Sequence, residues 1–194
     1  NALLVAYRLD REGKHLIYRM RLPLDGPELV KGLEDLPAEK APKRVDRELG
    51  APHLVNEDRA SADVPTAACG SEGCFVAWHG ETTGASLARL DVEKGSLIWR
   101  KQFAPKGGRP TLLSTKQGEV YLVYFEGGRV RLAAVSRDGL GPVTAFGHIS
   151  GDHPHPSVAQ GSQKGELWVA WEDSEPGAAG AMVKEAYVAR LSCP

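Results

Sequence analysis

A chain of 194 residues is long enough to bury one sizeable core, or a set of repeated units that share one. Its 24 Lys and Arg balance 25 Asp and Glu, which argues against a general polyanion binder such as a nucleic-acid-binding domain. With 42% hydrophobic residues, 22 Gly and 13 Pro the profile is that of a folded, turn-rich protein, and no apolar stretch approaches the roughly 20 residues that span a bilayer.

Taken in chain order, the sequence opens on "NALLVAYRLD", a strand-like run without an initiator Met, as expected of a mature exported chain or a piece of a longer polypeptide. A second run, "KHLIYRMRLP", follows a short turn. Residues 31–64 are charged and broken by Pro37, Pro42 and Pro52, and read as an insertion or linker with a helical turn. Next comes "PTAACGSEGCFVAWHG", in which Cys69 and Cys74 flank a Gly-rich turn between apolar runs. That spacing suits a disulfide across a hairpin and an oxidising compartment, extracellular or periplasmic; two free buried thiols are the alternative. Cys193 is left odd and is expected to pair outside this chain.

From Pro65 onward the sequence repeats itself. The segment starting at Pro65 aligns with those starting at Pro110 and Pro156, and the aromatic anchors Trp78, Tyr124 and Trp171 lie 46 and 47 residues apart. The opening run is a partial copy with Tyr7 in the same slot. Each copy reads as short strands: one after the Pro, one ending in "VAW" or "VYF", a third such as "SLARLD" or "RLAAVS", and usually a fourth. Four strands in a period near 45 residues is the period of a propeller blade. The expected fold is therefore all-β, a β-propeller or partial propeller of about four blades of 45–47 residues with one irregular insertion, as a single domain over residues 1–194. The first copy starts at its second strand and the last stops at its third, so unpaired edges are expected to favour a homo-oligomer or a missing partner segment.

The pattern "P-[ST]-x-A … VAW-[EH]-[DG]" is similar to blades of sialidase-like propellers, among the divergent propeller repeats of bacterial secreted proteins. The stretch "LARLDVEKGSLIWRKQF" resembles a quinoprotein-like blade, with Ala88, Asp91, Gly95 and Trp99 in matching places. The sialidase Asp-box is met by Ser136 and Asp138 and departs from the pattern at Leu140, where its glycine should stand.

In such a fold, the loops before first strands and after second strands open on one face. This places His79, Glu81, Arg109, Glu126, Asp152, His153, His155, Glu172 and Asp173 as ligand-face candidates, with Arg8 and Asp10 beside them, and puts "CGSEGC" on the opposite face. His148, Asp152, His153 and His155 have the side chains of a zinc site, but Pro154 and Pro156 hold His153 and His155 in extended geometry, so the stretch reads first as a connection between blades and no metal is expected. Glu172 and Asp173 are adjacent and alternate across a strand, so a general acid and base would have to come from separate blades, for instance Glu126 with Asp173. No Gly-x-Ser-x-Gly, His-Glu-x-x-His or cofactor fingerprint occurs. The expected function is a non-catalytic interaction module of an exported or envelope protein that binds a protein or glycan without a cofactor. A sialidase-like glycoside hydrolase is the alternative.

Overall fold

The structure, a computed structural model, describes residues 2–11, 13–23, 53–56, 61–91, 96–150, 155–176 and 182–192. The chain is all-β, and the described strands form four antiparallel sheets. The first sheet holds β1 (Ala2–Arg11), β2 (Lys14–Pro23) and β3 (His53–Leu54). In the second are β4 (Ala62–Gly70), β5 (Gly73–Gly80), β6 (Gly84–Leu90) and β7 (Leu97–Ala104), in that order. The third repeats this arrangement with β8 (Gly108–Ser114), β9 (Val120–Glu126), β10 (Arg129–Ser136) and β11 (Gly139–Phe146). The fourth contains β12 (Ser157–Gln160), β13 (Glu166–Pro176) and β14 (Met182–Ser192). These sheets are the blades of a partial propeller, and β4, β8 and β12 run beside one another as the innermost strands.

The register confirms the repeat residue by residue. Thr66, Thr111 and Ser157, each next to its proline, pair with Ala77, Val123 and Ala170. The following residue in each case is Trp78, Tyr124 or Trp171, and all three are buried. Strand alternation turns these aromatics to the preceding blade. Trp78 packs with Ile17 of the first blade, Tyr124 with Phe75 and Leu87 of the second, and Trp171 with Tyr121 and Val123 of the third. The core is thus a series of layers between blades, each made of one blade's leading face and the next blade's trailing face. Hydroxyls beside the prolines tie the inner strands together: Leu112 N donates to Thr66 Oγ1 at 3.1 Å, and Thr111 Oγ1 donates to the Pro156 carbonyl at 2.7 Å.

Two refinements concern residues 31–64. His53–Leu54 form the outer strand of the first blade, held by Val55 N to Ile17 O at 2.8 Å and Ile17 N to Asn56 Oδ1 at 2.9 Å. The inner strand β4 begins at Ala62, ahead of Pro65. The helical turn expected in this stretch falls outside the described residues, as do Asp152, His153 and Cys193.

Candidate functional site on the upper face

Local backbone geometry at the start of two inner strands sets up the site. In β4 the partners pass from Asp63↔His79 to Thr66↔Ala77, and in β8 from Gly108↔Phe125 to Thr111↔Val123, so each strand carries one extra residue at the same place. Val64 and Arg109, the residues before Pro65 and Pro110, both have φ of 51°. A left-handed backbone at a β-branched residue and at an arginine costs about 1–3 kcal/mol each and persists only where the surroundings impose it. Such bulges re-aim neighbouring side chains out of the ladder, here at the mouth of the inner strands.

Around the first bulge, Asp63 Oδ1 accepts from Val64 N at 2.7 Å and from Arg8 Nη1 at 2.9 Å. Burial pushes the Asp63 carboxyl up, but the Val64 amide and Arg8 outweigh it and hold the group below the ordinary carboxylate range. Asp63 is therefore an ionised acceptor. Arg8 Nε also lies 3.3 Å from Asp10 Oδ1, Asp10 lies 2.6 Å from His15 Nδ1, and His15 Nε2 is 3.9 Å from Glu81. A continuous polar chain thus runs from the first blade to the second.

His79 stands between this chain and the second bulge. Its Nδ1 is buried and has no hydrogen-bond partner among the described residues. Burial lowers its pKa first, and the charge of Arg109 adds to that, against a backbone bond to Gly107 and the charges of Asp63 and Glu81. The imidazole is held neutral. Gly108 makes this packing possible, because a Cβ there would stand 2.6 Å from His79 Nδ1. Arg109 Nη1 lies 3.0 Å from His155 Nδ1, which joins the third blade to the fourth.

Other ligand-face candidates are engaged locally. Glu126 Oε2 is 3.4 Å from Arg131 Nε on its own hairpin. Glu172 lies 3.9 Å from Lys184 and lines an open pocket of about 230 Å³ with His155, Ser157, Ala170, Trp171 and Ala186. Asp173 is only 3% exposed and accepts from Ser150 N at 2.9 Å, Ser150 Oγ at 3.1 Å and Ser174 N at 2.8 Å, so it pins the loop after β11 to the last blade. Among the described residues no group of three or more His, Cys, Asp or Glu is placed to hold a metal ion. On the opposite face Cys69 and Cys74 form a disulfide across the β4–β5 turn.

Hairpin length shapes the same face. Beyond the aromatic slot the β5–β6 and β9–β10 pairings continue for two positions, whereas β1–β2 continues for four past Tyr7 and β13–β14 for five past Trp171. At about 3.3 Å per residue the outer blades overreach the middle two by roughly 7–10 Å. Asp63 and His15 belong to this cluster although their positions in the sequence did not single them out. The signal for Asp63 was its place two residues ahead of a repeat proline, where Gly108 stands in the next blade.

No protein-family model matches the chain, and no curated protein matches it. Among solved structures it is similar to a protein of unknown function from Dyadobacter fermentans, with a TM-score of 0.64 and 14% identity over 99% of this chain and 50% of that one. The chain spans about half the length of that protein. Weaker likenesses are to the Bacteroides ovatus xyloglucan PUL GH43B, with a TM-score of 0.49, 10% identity and coverage of 100% of this chain and 36% of that one, and to an α-L-arabinofuranosidase from Clostridium thermocellum, with a TM-score of 0.42, 12% identity and coverage of 96% and 68%. At these identities the first likeness bears on fold alone, and the other two carry no argument.

Proposed function

We propose that this chain is the binding module of an exported protein and that it takes a hydroxyl-rich ligand, a glycan, along its upper face. The observation that carries this reading is the pair of matching bulges, in which a left-handed Val64 and Arg109 set Asp63 and Arg109 at the mouth of the inner strands. Backbone strain of this kind gathers at ligand sites, because an unstrained strand would serve packing equally well. Asp63, an ionised acceptor, and the donors Arg8 and Arg109 suit an array of sugar hydroxyls, and the longer outer hairpins flank the middle blades as the sides of a groove would. The Cys69–Cys74 bridge supports an oxidising compartment.

Titration calorimetry against a panel of neutral and acidic oligosaccharides tests the reading. Arg109→Ala and Asp63→Asn should each weaken binding by about tenfold or more, the scale of one charge-assisted hydrogen bond. Glu72→Gln, on the opposite face, should leave it unchanged. Failure of every glycan to bind would overturn the glycan reading, and hydrolysis of any glycan lost with Asp63→Asn would replace it with a glycosidase. The compartment is tested separately, by titrating thiols in denatured protein recovered from its native source: free Cys69 and Cys74 there would remove the argument for export.

A further inference from the structure

The repeat register assigns the same positions of each blade to the face that meets the next one. In the second blade Ala77 pairs with Leu87 and Phe75 with Arg89. Phe75, Ala77 and Leu87 are 0–1% exposed beneath the third blade. In the third blade Val123 pairs with Leu132 and Tyr121 with Ala134, and Tyr121, Val123 and Leu132 are buried beneath the fourth. In the last blade Ala170 pairs with Val188 and Trp168 with Arg190. The aromatic and arginine of the second blade thus recur in register, and Arg190 stands 6.0 Å from the Trp168 ring. Yet Trp168 is 41% and Val188 63% exposed. The inner strands repeat the contrast. Thr66 Oγ1 accepts from Leu112 N of β8, and Thr111 Oγ1 donates to the Pro156 carbonyl ahead of β12. Ser157, in the matching place on β12, instead lines the open pocket of about 230 Å³ with Ala170, Glu172 and Ala186 on this same face.

We infer that the occupant of this face is a further blade of the same repeat, carried by polypeptide that follows residue 194. Each covered face described here meets the blade next in sequence, so the order of the repeat names the occupant. Its chemistry follows from the three surfaces already seated on a preceding blade. These carry apolar residues four and two places ahead of the aromatic slot: Cys74 and Val76 before Trp78, Val120 and Leu122 before Tyr124, Leu167 and Val169 before Trp171. All nine are buried. The further blade therefore has a strand that reads apolar, any, apolar, any, Trp or Tyr, with its ring about 46 residues beyond Trp171, the spacing of the three described slots. Its inner strand, beside β12, gives Ser157 a neighbour of the kind that Thr66 and Thr111 have. Repeat arrays bury each unit against the next in this way. This chain also spans about half the length of the solved protein with which it shares a fold. The pocket beside Glu172 is accordingly a gap beneath an absent blade and not a second ligand site.

The full polypeptide, purified from its source, tests this in two steps. Peptide mapping by mass spectrometry should find chain beyond residue 194 that contains the expected pattern. In that polypeptide Val188→Cys should react with a thiol reagent about tenfold or more slowly than Ile98→Cys, at an exposed position on β7, because a buried thiol waits for local opening. Rates read peptide by peptide keep Cys193 out of the comparison, and an unaltered circular dichroism spectrum shows that each variant still folds. Oxidative footprinting gives the same reading without a substitution: Trp168 should be modified about as slowly as the buried Trp78. A polypeptide that ends at residue 194, a continuation without the pattern, or a Trp168 and Val188→Cys that react as exposed groups would each overturn the assignment. Protection that falls on dilution would give the face to a separate chain and overturn it as well.

Discussion

His79 shows how one side chain can report on the fold that surrounds it. Burial and the nearby Arg109 hold it neutral, so its pKa in the folded chain lies below the ordinary value of 6.5. Below that pH the unfolded chain takes up a proton that the folded chain resists. The contribution is therefore complete above about pH 6.5 and is lost as the pH falls beneath it. His79→Gln removes the titrating group, and the loss of urea midpoint between about pH 7.5 and pH 5.5 should be smaller for the variant than for the wild type. An equal loss would assign the acid sensitivity to other groups. Gly108 is the second residue whose identity is forced here: Gly108→Ala drives a Cβ to 2.6 Å from the imidazole nitrogen and should destabilise the chain by about 1–3 kcal/mol in denaturant unfolding. Neither position was legible as a contact in the sequence. Their proximity depends on a bulge at Arg109, and an arginine in left-handed conformation gives no advance sign of itself as a glycine would.

At the scale of elements the sequence was more informative, because its hydrophobic alternation and its prolines recur in the same order in three blades. The slot shared by Trp78, Tyr124 and Trp171 could be aligned from spacing alone, and packing then showed why it recurs: each ring seals the layer against the preceding blade. Trp171 is in contact with Phe146 edge-on and with Tyr187 in a stack. Trp171→Ala should accordingly cost about 3–5 kcal/mol by thermal or chemical unfolding. The strand β3 was hidden in a charged, proline-broken stretch because two residues carry no period, and pairing of Leu54 with Tyr18 and of His53 with Arg19 is what defines it. Asp173 illustrates the opposite case. An acidic residue after a strand reads as solvated, yet Ser150 supplies two donors and draws the carboxylate inside. The Cys69–Cys74 turn was legible by spacing, but its purpose beyond the hairpin was not. Ser71 N donates to Gly118 O at 2.7 Å and Glu72 meets Arg137 at 2.9 Å, so the turn clasps the third blade. Replacing both cysteines by serine should cost about 2 kcal/mol from loop closure in so short a loop.

For the whole molecule, stability should be graded along the blades, since each layer joins only neighbours. The second and third blades have four strands each and are covered on both sides, whereas among the described residues the last blade is covered on one side and ends in β14 without an outer partner. Local opening is cheapest where few buried apolar contacts hold an element. Native-state hydrogen exchange should therefore find the slowest amides in β5, β6, β9 and β10, and faster ones in β14. The Trp168 and Val188 side chains, exposed on β13 and β14, add no burial that would slow exchange there. Amides of β14 as slow as those of β5 and β9 would show instead that the blades open together as one cooperative unit, and would remove the gradient.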